Sequence, residues 1–221
     1  MKKNKQKNHQ MSLCIAISLL AAFVIWTLLV RLVDVQPIGP NGASVGFATL
    51  NRAVHELVGV NMVLYTVTDW LGLVPIATAL GFAILGLVQW IKRRSLWRVD
   101  RSILTLGVFY VVVLAAFVFF EVVVINYRPV RIGGVLEASY PSSTTMLVMC
   151  VMSTAAMQLT SRIKSRGWRC CAVIVIVVFI AFMVLGRLLS GVHWITDIIG
   201  GVLLSAGLVV TYGICAKMKK A

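Results

Sequence analysis

The sequence predicts an all-α, polytopic membrane protein with six transmembrane helices, both termini in the cytoplasm and one further helix lying in the outer interface. Three observations carry that expectation. Of the 221 residues, 60% are hydrophobic and 13% charged, against about 45–50% and about 25% in an ordinary soluble domain. The apolar residues gather in six blocks, each near the roughly 20 residues that cross a hydrocarbon core about 30 Å thick. The charges lie between those blocks. A soluble globule, a disordered chain and a short-period repeat are thereby excluded.

The spans are expected near 12–33, 71–91, 102–125, 143–160, 170–189 and 194–214, within a single membrane-embedded domain over 1–221. The first follows a basic tail at 1–11. Its apolar run exceeds a secretory h-region and no A-x-A-like cleavage site follows, so it reads as a retained anchor. The outer loop at 34–70 opens on turn residues, Pro37, Gly39, Pro40, Asn41 and Gly42. Phe47, Leu50, Val54, Leu57 and Val58 then recur at helical spacing opposite Asn51, Arg52, His55 and Glu56, which predicts the interfacial helix. It serves equally as a lid over a lipid or as a packing element, with His55 solvated. The fourth span has the weakest signal, holding Ser142, Ser143, Thr144, Thr145 and Ser153. In the sixth, Gly200, Gly201, Ser205 and Gly207 permit close helix approach, inside the bundle or between copies, so the oligomeric state stays open.

The net charge of +14 arises from 21 Lys and Arg against 7 Asp and Glu. A cytoplasmic N-terminus puts Lys2, Lys3, Lys5 and Lys7, then Lys92, Arg93, Arg94, Arg98 and Arg101, then Arg162, Lys164, Arg166 and Arg169, then Lys217, Lys219 and Lys220 on one side. Only Arg31, Arg52, Arg128, Arg131 and Arg187 remain opposite. Topology therefore explains the basic excess, with attraction to anionic membrane lipid as an addition, and no nucleic-acid partner is expected. Trp70 and Trp194 at the outer boundary, with Trp90 and Trp168 at the inner one, suit aromatic belts. The five cysteines have neither metal-binding spacing nor an oxidising setting.

Two outer segments, 126–142 and 187–197, hold the ionisable residues that a membrane protein reserves for function. Asp197 follows His193 by four residues, a spacing that puts both on one helical face. The carboxylate can then take the hydrogen of one ring nitrogen and leave the other as a nucleophile, although a buried pair that merely satisfies itself fits the same spacing. Ser142 stands before an apolar run as a helix N-cap, and such a helix start presents free amides to an anion. Arg128 precedes Pro129, which is expected to end the third helix, and can bind an anionic oxygen through paired hydrogen bonds. Arg128, Arg187, the hydroxylated helix start and the His–Asp pair together supply the parts for phosphoryl transfer through phosphohistidine. No carboxylate cluster points to a metal, and no cofactor is implied.

The order and spacing of these residues resemble the type-2 phosphatidic acid phosphatase superfamily of membrane lipid phosphatases. Its motifs read Lys, six residues, Arg-Pro; then Pro-Ser-Gly-His; then Ser-Arg, five residues, His, three residues, Asp. Arg128 and Pro129 match the first, Pro141 and Ser142 the second, Arg187, His193 and Asp197 the third. The resemblance implies that Arg128, Ser142, Ser143 and Arg187 bind phosphate, that His193 is the nucleophile and that Asp197 orients it. Its lysine is Glu121 here, its Gly-His is Ser143-Thr144, and its serine is Gly186.

That histidine is the family's general acid, and a threonine hydroxyl cannot replace it near neutral pH. Losing general acid catalysis costs about 10²–10⁴-fold. An alkoxide leaving group needs the proton, whereas a phosphate, with a second pKa of roughly 6, needs it far less. The expected substrate is therefore a lipid diphosphate of the polyprenyl class, such as undecaprenyl diphosphate, rather than phosphatidic acid. Glu121 is expected to pair with Arg128, Arg131 or Arg187, or, protonated, to stand in for the acid. The expected activity is a metal-independent lipid phosphatase of the cell membrane whose site faces away from the cytoplasm. The alternative is a relative that binds, senses or translocates a lipid phosphate without hydrolysing it.

Overall fold

The computed structural model describes residues 2–217, with side chains over 6–216. The side chains of Lys2, Lys3, Lys5, Lys217, Lys219 and Lys220 at the basic ends lie outside that range. Among the described residues there are eight α-helices: α1 (Lys2–Leu32), α2 (Ala48–Val58), α3 (Met62–Leu71), α4 (Leu73–Arg93), α5 (Arg101–Val122), α6 (Ser143–Arg162), α7 (Arg166–Leu189) and α8 (Ile195–Lys217). They supply six segments long and apolar enough to cross a membrane: Gln6–Leu32, Met62–Arg93, Arg101–Val122, Ser143–Arg162, Arg166–Leu189 and Ile195–Ala216. The chain is a multi-pass membrane protein.

The first and fifth spans begin a few residues earlier than expected, at Gln6 and Arg166, and two further boundaries differ in ways that bear on the site. The second span begins at Met62 rather than 71, with α3 and α4 meeting at Gly72. The polar residues that hid this stretch are satisfied within it. Asn61 caps α3 by accepting from the Leu64 N–H at 2.9 Å, and the hydroxyls of Thr66 and Thr68 donate to carbonyls one turn back, Met62 O and Leu64 O, at 2.9 Å each. The third span ends at Val122, so Pro129 does not terminate it. The β-branched run Val122-Val123-Val124-Ile125 favours extended backbone. Beyond it, 123–142 folds into an irregular hairpin: Arg128 N–H donates to Glu137 O at 3.1 Å, and Ser139 N–H to Asn126 O at 2.9 Å. Gly133 and Gly134, both at positive φ, make its tip, where most other residues would be strained.

The weak hydropathy of α6 follows from its place. Half of its window is buried, against 6% for Met62–Arg93, so it packs on protein rather than lipid. The helix α8 packs on α1 and α6, with Gly207 facing Leu20 of α1, Gly201 facing α6 and Gly200 facing the hairpin residue Tyr140. An added Cβ at Gly200 would stand 2.6 Å from the Tyr140 ring, and one at Gly201 3.1 Å from Thr145 Cγ2. Both glycines thus serve packing within the chain. Phe23, Leu106, Phe109, Tyr140, Met146 and Leu204 form the main core among α1, α5, α6 and α8.

The helix expected in the interface forms as α2, but its inward face includes Asn51. Asn51 is buried, donating to Gly46 O at 2.8 Å and to Thr196 Oγ1 at 3.0 Å, while Leu57 is 87% exposed. Leu50 and Leu57 thus face outward, Phe47, Val54 and Val58 are half-buried with Phe47 stacked on Trp26, and a buried amide ties α2 to the start of α8. His55 is half-buried beside Trp194, ring centroids 5.5 Å apart, rather than solvated. Trp194 is buried as well and donates through Nε1 to Tyr127 O at 2.8 Å, so it belongs to no aromatic belt. Trp70, Trp90 and Trp168 are exposed.

Candidate functional site

One end of the bundle gathers side chains from α3, the 123–142 hairpin, the start of α6, the end of α7 and the turn into α8. That turn carries His193, which precedes the first residue of α8. Asp197, in the first turn of α8, closes it by accepting the Trp194 N–H on Oδ2 at 3.0 Å, the reciprocal half of a capping box. Asn126 Nδ2 donates to Asp197 Oδ1 at 3.2 Å, and the Ser139 hydroxyl donates to Oδ2.

The expected direct hydrogen bond between His193 and Asp197 does not form. His193 Nδ1 lies 3.9 Å from Asp197 Oδ2, beyond hydrogen-bond reach. Because His193 sits in a turn rather than on the helix, the i,i+4 relation does not bring the pair together, and Ser139 stands between them with Oγ 3.0 Å from Nδ1. The other ring nitrogen, Nε2, is buried and has no hydrogen-bond partner among the described residues. Burial pushes the basicity of His193 down, the charges of Arg128 and Arg187 push it further, and Asp197 opposes them, leaving a pKa of about 4. The ring is neutral at pH 7, and its lone pair is available.

Arg187, 2% exposed, is held by α3 and α6. Its Nη2 donates to Thr144 Oγ1 at 2.7 Å and lies 3.5 Å from Asp69 Oδ1, its Nη1 donates to Thr68 Oγ1 at 3.4 Å, and its Cζ sits 4.9 Å from the Tyr65 ring centroid. These contacts leave Nε unpartnered among the described residues. Gly186 lets α3 approach so closely: an added Cβ would be 2.7 Å from Thr68 Cγ2. Arg128 stands 3.1 Å, through Nε, from Glu137 Oε2, but the N–H points off that line, and Nε and Nη1 are buried without a hydrogen-bond partner among the described residues. Two buried guanidinium groups with unused donors have the chemistry to hold an anion.

Ser142 caps α6 as expected, accepting the Thr145 N–H at 3.4 Å, and Ser143 and Thr144 form its first turn. Thr144 is a partner of Arg187. The expected pairing of Glu121 is not observed: it is exposed and, among the described residues, makes no ion pair. Glu137 and Asp69 take the arginines instead. The sequence reading missed both, along with Ser139, Asn126, Thr68 and Tyr65. Ser139 lies three residues before Ser142, yet nothing in its neighbours' types separates it from an ordinary loop serine.

From Ser143 and Thr144 an apolar groove of about 560 Å³ runs along α4, α5 and α6, past Ile76, Ala79, Leu80 and Phe117 to Ala83 and Tyr110. A second cleft of about 320 Å³ begins at Ala83 and Tyr110 and continues to Trp90 and Leu96 at the opposite end.

Residues 125–220 match the family model described as PAP2 superfamily. The fold is similar to the crystal structure of the first transmembrane PAP2 type phosphatidylglycerolphosphate phosphatase from Bacillus subtilis, with 21% identity, a TM-score of 0.63 and coverage of 93% of this chain and 98% of that one. No curated protein matches the chain significantly by sequence. Arg128, Ser142, Arg187, His193 and Asp197 all fall within the matched segment, and the chain is a six-span membrane protein whose C-terminal part is similar to the PAP2 superfamily.

Proposed function

We infer that the chain is a metal-independent membrane lipid phosphatase that passes a phosphoryl group to His193. The observation that carries this reading is the unpartnered Nε2 of a buried, neutral imidazole, set in the field of two arginines with unused donors. The Nε2 lone pair attacks phosphorus, the bond to the leaving oxygen breaks, and that oxygen keeps the electron pair. Arg128, Arg187 and the amides and hydroxyls of Ser142 and Ser143 stabilise the charge on the transferring oxygens. Asp197 offsets the positive charge that appears on the ring. Water then attacks phosphorus, the P–N bond breaks, and neutral imidazole and inorganic phosphate remain.

The groove supports a lipid. Its apolar length begins at Thr144, the residue bonded to Arg187, so a headgroup at the arginines leaves its tail along α4 and α5. Thr144 in place of a proton donor favours a leaving group that departs as a phosphate, hence a polyprenyl diphosphate. The basic loops at 92–101 and 162–169 lie at the end remote from His193, which supports a site facing away from the cytoplasm.

Purified protein in lipid vesicles, offered a panel of lipid mono- and diphosphates, tests the reading. Phosphate release from polyprenyl diphosphate that vanishes in His193→Ala supports it. Saturable binding of the same lipids without release from any would replace it with a binding or translocating role.

A further inference from the structure

We propose that Ser139 is a positioning residue for His193, its hydroxyl locking the imidazole in the one neutral tautomer that leaves a lone pair on Nε2. The consequence for turnover rests on the phosphatase reading; the tautomer itself does not. A hydroxyl has one hydrogen to donate and two lone pairs to accept with. Asp197 acts here as an acceptor, taking the Asn126 amide on Oδ1 and the Trp194 N–H on Oδ2, and the Ser139 hydrogen is directed to Oδ2 as well. With that hydrogen committed, Oγ meets Nδ1 at 3.0 Å only as an acceptor. Nδ1 therefore carries the ring hydrogen, and a neutral imidazole has just one.

The opposite tautomer is disfavoured twice. It would set the Nδ1 lone pair against those of Oγ, and it would place an N–H at Nε2, where no protein acceptor stands among the described residues. Asp197 cannot enforce the choice alone, because its oxygen is 3.9 Å from the ring. Nor is Oγ needed to shape the loop, since Ser139 holds the hairpin through its backbone N–H to Asn126 O. When phosphorus bonds to Nε2, the ring keeps its Nδ1 hydrogen and becomes cationic, and the hydroxyl connects that charge to Asp197.

The test is the ¹⁵N NMR spectrum of histidine-labelled full-length protein in lipid nanodiscs. The chain has three histidines, and His193→Gln identifies the relevant signals. The wild type should show a single neutral tautomer at pH 7 with the hydrogen on Nδ1. Ser139→Ala should release it to a mixture, Ser139→Thr should keep it, and kcat of Ser139→Ala should fall about 10²-fold with KM little changed, as expected when a proton is mispositioned. A wild-type ring protonated on Nε2, or an unaltered spectrum in Ser139→Ala, overturns the proposal. A shifted tautomer in a protein that releases no phosphate would sink the phosphatase reading and leave the Ser139 role standing; phosphate release with an unshifted tautomer would do the reverse.

Discussion

His193 combines a low basicity with an unpartnered nitrogen, and both follow from where the turn places it rather than from its spacing to Asp197. An imidazole held near pKa 4 stays neutral where an ordinary histidine, near 6.5, is already protonated. The acid limb of kcat/KM assigned to His193 should therefore lie near pH 4 to 5, measured on initial rates of lipid diphosphate hydrolysis. The stability sign agrees. A depressed folded pKa contributes stability fully present above pH 6.5 and lost as pH falls from there through 4, so His193→Gln should flatten the decline of Tm across that window. Thr144 offers a gain-of-function test. Thr144→His should raise hydrolysis of phosphatidic acid relative to polyprenyl diphosphate by about 10²-fold, because only the monoester needs a strong acid. Gly186 and Thr68 are coupled because a Cβ added at Gly186 would stand 2.7 Å from the Thr68 methyl group. Gly186→Ser alone should displace Arg187 and weaken competitive inhibition by inorganic phosphate. Adding Thr68→Ser, which removes the methyl group and keeps the hydroxyl bonded to Arg187, should restore it.

At the scale of elements, the sequence made the spans legible because an apolar block of membrane length has few other solutions. It made the α6 start legible because Ser142 before an apolar run has one local role. What stayed hidden depended on tertiary contact. The polar residues of α3 read as loop until their hydroxyls were seen to bond within the helix, and the face of α2 that turns inward carries Asn51, bonded to Thr196, along with only part of the apolar stripe. Glu137 and Asp69, rather than Glu121, meet the arginines because hairpin and helix ends place them there. The apolar groove also belongs to this scale. Ala79 and Ala83 keep it open between α4 and α5. Ala83→Phe should reduce kcat/KM for a long polyprenyl diphosphate about tenfold, corresponding to about 1.4 kcal/mol of lost tail contact, while leaving a short-chain analogue nearly unaffected. Equal losses on both chain lengths would show that the groove does not hold the tail.

For the whole molecule, six spans bring segments more than a hundred residues apart, such as Thr68 and Arg187, into one buried cluster. That arrangement converts a set of ordinary membrane helices into a pocket with two guanidinium groups that keep unused donors and a neutral imidazole. The account stands or falls on the bond it assigns to Nε2. Rapid acid-free quenching of the purified protein with polyprenyl diphosphate labelled in the terminal phosphate should trap a phosphoenzyme that is acid-labile and alkali-stable, maps to His193 and is absent from His193→Ala. Turnover with no trapped label, or label that persists in His193→Ala, would contradict it.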